Sequence, residues 1–183
     1  MKKPVFYLCL LAFSLVFMGC PYESQYPLDV PSIPVSKDYM GKWYSKGGDA
    51  GNIIVKKLDA YTYLVQDVGT TSAKDRKAQE KEMKAIAKEN GEKYEPSKKE
   101  PPTEYHAHIS MVNNVTFVNV KKLDSRTWYI YKMEGNKDKV TIAGLTPYIK
   151  ESFSSSKQLS KYVADNMKYS FFFIEEQTFT RSE

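Results

Sequence analysis

The sequence predicts a mainly β domain: an antiparallel meander closing into a small barrel or half-barrel, with a helical insertion in mid-chain and a C-terminal helix before the last strands. Three observations carry this expectation. Short runs rich in aromatic and β-branched residues recur at close intervals, each bounded by turn residues. They fall in two zones, residues 39–68 and 103–143, separated by a charged stretch of helical character. One pattern also occurs twice: residues 53–63 (IIVKKLDAYTY) return at 118–128 (VNVKKLDSRTW), with Val, Lys, Lys, Leu, Asp and Thr coinciding at an offset of 65. A Leu-Asp turn followed by an aromatic return strand describes the same hairpin both times. Convergence on a stable hairpin accounts for the repeat better than duplication does.

Strands are expected over residues 40–45, 52–57, 62–67, 104–112, 116–121, 127–133, 139–143, 169–175 and 178–181. Between the third and fourth, Ser72 with Asp75 three residues later resembles a capping box, and Gly91 supplies a stop. Met83, Ile86 and Ala87 make only a thin apolar stripe, so this helix is expected on the surface, within a charged insertion spanning 71–100. Thr146-Pro147 opens a short helical turn carrying Ile149 and Phe153. Ser155 with Gln158 opens the C-terminal helix, whose Leu159, Tyr162, Val163 and Met167 share one face.

The N-terminus carries an address. Met1-Lys2-Lys3 is followed by an uncharged apolar run from Val5 to Met18, the layout of a secretory signal. The run ends in Phe17-Met18-Gly19-Cys20, and a small residue before Cys at that point resembles the lipobox of bacterial lipoproteins. That resemblance implies a signal peptide over 1–19 and a Cys20 carrying a thioether-linked diacylglycerol and an N-acyl chain. At about 0.8 kcal/mol per buried methylene, several chains hold a protein on a membrane permanently. Residues 21–38 hold four prolines and no hydrophobic period. They are expected to be an extended tether from Cys20, with the domain occupying 39–183.

The formal charge of +5 includes Lys2 and Lys3 of the signal, and the stretch 71–100 mixes nine Lys or Arg with seven Asp or Glu. That is a solvated mixed-charge surface rather than a phosphate-tracking face, so no nucleic-acid partner is expected. Cys9 and Cys20 are the only cysteines, and both precede the folded part.

Gly41-Lys42-Trp43 opens the β-rich region, and Gly-x-Trp at that place resembles the signature of lipocalins and calycins. The resemblance implies a barrel whose end is crossed by Trp43, a chain turn at Gly41, and an Arg from the last strand over the indole; Arg181 is the matching residue. The layout of lipobox, Pro-rich stretch and β domain is also similar to lipocalin-like lipoproteins of Gram-negative bacteria. It implies anchoring to a bacterial envelope membrane, expected to be the outer one, on its periplasmic or cell-surface side.

Catalytic signatures are lacking: there is no nucleophile elbow, P-loop, zinc-protease helix or dinucleotide fingerprint, so neither an enzyme nor a cofactor is expected. His106 and His108 are two apart and would share one strand face, where Glu104 could join them as weak zinc ligands; a polar outer face explains them better. The aromatic content is the best remaining clue. Tyr63, Tyr105, Trp128 and Tyr131 are candidates to line a pocket for a small apolar or amphiphilic ligand, against the plainer reading of a filled core. The alternative function is an envelope interaction or structural role, with the charged insertion contacting a partner protein.

Overall fold

Alternation with a period of two builds one continuous sheet. The computed structural model describes residues 21–45, 51–69, 73–91, 93, 101–174 and 176–181, so Cys20 and Ser72 lie outside the described residues. The strands are β1 (Glu23–Ser24), β2 (Gly41–Ser45), β3 (Asn52–Lys57), β4 (Tyr63–Gly69), β5 (Thr103–Val112), β6 (Val115–Lys122), β7 (Trp128–Gly135), β8 (Lys139–Gly144) and β9 (Gln177–Arg181). Helix α1 is Ala73–Glu89, and α2 is Ser156–Asn166. Consecutive strands from β2 to β9 pair antiparallel, and β9 pairs back onto β2, which closes an eight-stranded barrel. β1 is an extra strand on the edge of β7, where β8 has already left it.

Eight of the nine expected strands agree with the structure to within two residues at each end. The repeated pattern forms the β3–β4 and β6–β7 hairpins. At the first turn Asp59 Oδ1 accepts from the N–H groups of Tyr61 and Thr62, both at 2.8 Å, the side-chain bonding that makes Asp a turn residue. The tightest hairpin, β5–β6, turns on Asn113 and Asn114, whose φ values of 47° and 64° give the left-handed pair that a two-residue loop needs. Gly135, with φ of 136°, ends β7 where a Cβ would lie 2.1 Å from the Lys139 carbonyl oxygen, so no larger residue fits.

Two hydrophobic layers result. Inside the barrel Trp43, Tyr63, Ala107, Ile109, Met133, Val140 and Phe179 pack with Val55, Val65, Val118, Val120 and Ile142. On its outer face Val112, Phe117 and Ile130 meet Leu28, Leu145, Ile149, Leu159, Val163 and Phe172. Helix α2 covers that face as its apolar stripe requires, and Ser155 caps it by accepting from the Gln158 N–H at 3.3 Å. Helix α1 leaves Met83 and Ile86 exposed, and Gly91, at φ of 71°, ends it.

Three expectations are corrected. Residues 21–38 do not form a tether but a strap packed on the barrel. Glu23–Ser24 pair with β7, Leu28 is buried in the outer layer, and Ile33 and Val35 pack at the barrel's interior layer. Proline suits a strap that bonds through few backbone N–H groups, and the apolar contacts come from Tyr22, Tyr26, Leu28, Ile33 and Val35, which no single period connects. Of the strand expected over 169–175, Glu175 lies outside the described residues and 169–174 are not a strand: Ser170–Phe172 form a 3-10 turn, and Phe173 makes one bridge to Leu145. That turn places Phe172 in the outer layer, where burial outweighs the β propensity of an aromatic run. Thr146-Pro147 begins a turn but no helix; the Thr146 N–H bonds to the Phe172 carbonyl, and Ile149 and Phe153 still reach the outer layer.

Candidate functional site

The barrel has two unlike ends. At the first, Gly41 (φ of 123°) brings the chain into β2, and a Cβ there would touch the Arg181 guanidinium at 3.5 Å. Arg181 pairs with Trp43 across β9 and β2, and its Cζ lies 5.5 Å from the indole centroid. Its Nη2 donates to the carbonyl oxygens of Met40 and, at 3.3 Å, Lys37. The Trp43 Nε1–H donates to the Tyr39 carbonyl at 3.0 Å, so the buried indole is satisfied. Guanidinium over indole contributes about 0.5–2 kcal/mol, more as the pair is desolvated. The Ser36 N–H donates to the Tyr63 phenol oxygen at 2.7 Å, and the Tyr39 ring meets Tyr63 edge-on at 6.5 Å. Burial raises the Tyr63 phenol pKa. These contacts stop this end of the barrel with side chains and the 3-10 turn Lys37–Tyr39.

At the opposite end, Tyr105, Tyr129 and Tyr131 alternate in register with the interior residues Ala107, Ile109 and Met133. The Tyr131 phenol is pushed up to about 12, first by burial and then by the neighbouring phenols of Tyr129 and Tyr105. Tyr105 is raised too, by burial and then by the Asp67 carboxylate. The Tyr129 hydroxyl donates to Glu23 Oε1 at 2.9 Å, tying the strap to this rim. Rings with phenol groups offer apolar faces and hydrogen bonds to the same guest.

Trp128 lies apart from this cluster. It shares the outer face with Ile130, meets the His108 ring edge-on at 5.3 Å, and carries Lys121 Nζ at 5.2 Å from its centroid. Of the four aromatic candidates the structure therefore brings together Tyr105 and Tyr131, sets Tyr63 at the stopped end, and turns Trp128 outward.

His106 and His108 also face outward. His106 is half-buried beside Leu64 and Lys121, while His108, 1% exposed, is sealed beneath the strap. Its Nε2–H donates to the Asp29 main-chain oxygen at 3.0 Å, which fixes the tautomer. Burial lowers the His108 pKa, although Asp29 works the other way. The Ser110 hydroxyl donates to Asp29 Oδ1, Asn119 Nδ2 donates to Ser110 Oγ at 2.7 Å, and Asn119 Oδ1 accepts from the Leu28 N–H at 2.7 Å. Ser, His and Asp meet here in the wrong order for nucleophilic catalysis, since the serine proton goes to the carboxylate and the imidazole bonds the backbone. This network fastens the strap. Asp29 and Asn119 went unnoticed in the sequence; the only available signal was a polar Asn among the apolar positions of its strand.

A cavity of about 300 Å³ lies near the stopped end, between Tyr39, Thr116, Met133, Glu134 and Val140. A shallower groove of about 500 Å³ runs between Leu28, Asp29, Met111 and the α2 residues Lys157 and Lys161. Neither is lined by Tyr63, Tyr105, Trp128 or Tyr131. Among the described residues no group of three His, Cys, Asp or Glu could hold a metal, and no helix is long and apolar enough to cross a membrane.

No family model, curated protein or solved structure matches the chain.

Proposed function

We propose that this protein is a lipid-anchored bacterial envelope protein, held through Cys20, whose lipocalin-like barrel binds a small amphiphilic ligand at the end lined by Tyr105, Tyr129 and Tyr131. The observation that carries the reading is the polarity of the barrel interior. One end is stopped by Trp43, Arg181, Tyr63 and the 3-10 turn, while the other presents phenols beside Asp67 and Glu23. A guest would place its apolar body against the ring faces and Val65 and Val120, and its polar head among the phenols. The lipobox-like end of the signal supports a location at a membrane, where amphiphiles are at hand. No chemistry on a substrate is part of the proposal, and no cofactor is needed.

The test uses the chain from Pro21 onward, which keeps the strap and removes the anchor. Fatty acids and quinones are titrated against an environment-sensitive amphiphilic probe, and Tyr131→Phe and Tyr105→Phe are compared with the parent. Saturable displacement weakened about fivefold to tenfold by either change, the scale of one hydrogen bond, supports the site. Saturable binding untouched by both, or none at all, overturns it.

A second reading rests on α1, where Met83 and Ile86 are exposed at 56% and 47% along a helix rich in lysine. It makes the insertion a contact for an envelope protein. Charge reversal at Lys81, Lys84 and Lys88 separates the two, because it would abolish a partner's binding and leave ligand titration unchanged.

A further inference from the structure

The strap is packed on the barrel from Pro21 onward. Pro21 is already against β8: a Cβ built on Gly144 would lie 3.0 Å from Pro21 Cβ and 3.0 Å from Ile174 Cδ1. The Tyr22 N–H donates to the Leu145 carbonyl at 3.0 Å, and the Ile174 N–H to the Gly144 carbonyl at 2.8 Å. Cys20 is joined directly to Pro21 in the sequence. The chain thus leaves the fold beside the segment that precedes Ile174.

That segment displays apolar surface. Phe171 is 74% exposed and Tyr169 42% exposed, their rings stacked at 5.2 Å with an interplanar angle of 15°. Lys168 Nζ stands 5.0 Å from the Tyr169 centroid. Tyr148, 65% exposed, follows Thr146, whose N–H bonds to the Phe172 carbonyl in the same segment at 2.9 Å. Tyrosines with a Phe and a lysine whose stem can reach back to water are the residues that settle at a lipid headgroup boundary.

We propose that Tyr148, Tyr169 and Phe171 form a membrane-docking face that enters the headgroup region when Cys20 is acylated, fixing the barrel's orientation on the bilayer. This rests on the acylation of Cys20 proposed above. A long tether would leave the domain free to rotate; a chain packed from Pro21 onward forces the surface around Pro21 against lipid.

The full chain, expressed as a lipoprotein and purified into phosphatidylethanolamine–phosphatidylglycerol vesicles, provides the test. Phe171→Cys and, at the β3–β4 turn by the Trp43 end, Leu58→Cys each carry a nitroxide; both positions are exposed, so the fold should tolerate them. Collision with oxygen and with a water-soluble nickel chelate is measured by power saturation, and Cys20 acylation by mass spectrometry. The expected result is an oxygen-to-nickel ratio several-fold higher at 171 than at 58. Equal ratios on acylated protein overturn the docking face and leave the anchor standing. Shielding of 171 from both reagents points to a protein contact and overturns lipid docking. An unacylated Cys20 overturns both proposals.

Discussion

On the outer face of the barrel Phe117, Ile130, Leu145, Leu159 and Val163 are each 0% exposed, with Leu28, Val112, Ile149 and Phe172 at 2–8% around them; inside it no member of the layer reaches zero, and Trp43, Tyr63, Ala107, Ile109, Met133, Val140 and Phe179 keep 2–9%. Both layers use the same kinds of side chain, and they differ in what covers them. The outer layer is sealed from three directions, by α2, by the strap and by the turn at Ser170–Phe172. The interior is bounded by its own strands and, at the Trp43 end, by Ile33 and Val35 of the strap and by Tyr39. The most fully sealed side chains of this barrel are therefore on its outside, beneath α2 and the strap.

Truncations test that contrast most strongly. Phe117→Ala should cost about 3–5 kcal/mol, the upper range for a sealed site. Met133→Ala, inside, should fall nearer about 2 kcal/mol, at the low end for its class. Urea unfolding monitored by circular dichroism reads both, and equal losses would erase the distinction between the layers. Leu28→Ala comes next, at about 2–4 kcal/mol. A linker would show no loss, so an unfolding midpoint unchanged by Leu28→Ala would return residues 21–38 to the role of tether.

Two pH effects sharpen the comparison, one for each layer. Folding holds the interior Tyr131 phenol neutral up to about 12, whereas the unfolded chain ionises near its ordinary 10.0. Stability from this group is intact below pH 10 and falls as pH rises through 10 towards 12, by at most about 1.4 kcal/mol per pH unit. Tyr131→Phe should remove that component from the alkaline unfolding curve, along with the latest phenolate absorbance at 295 nm. Against the outer layer, His108 has its pKa lowered below 6.5. The unfolded chain binds the proton first as pH falls, so His108 contributes stability above about pH 6.5 that drains away below it. His108→Gln should flatten the fall in stability below about pH 6.5, an effect that Asp29 keeps small by opposing the burial.

The barrel was readable because strand alternation and turn chemistry are local. Leu58-Asp59 and Leu123-Asp124 each announce a hairpin, and Ser155 announces α2, within a few residues of the bonds they make. The strap was not readable, because its fastenings lie far off: the Leu28 N–H bonds to Asn119, 91 residues away, and Asp29 meets Ser110 at a separation of 81. Residues 169–175 misled for a related reason, since their aromatic run satisfies a strand's propensity while the outer layer claims Phe172. One part of the candidate pocket could have been resolved by counting. Trp128 and Tyr131 are three apart in one strand, an odd spacing that sends them to opposite faces.

The strap's long-range pairing also sets an order of folding. Glu23 cannot meet Tyr129 until 106 further residues are present, and such distant contacts form late because the intervening loop must close first. In a chain delivered from its N-terminus, the β2–β4 meander can assemble while residues 21–28 are still unpaired. Were β7 mutated so that it paired slowly, residues 21–28 would stay loose for longer and open to proteolysis until the seventh strand arrived.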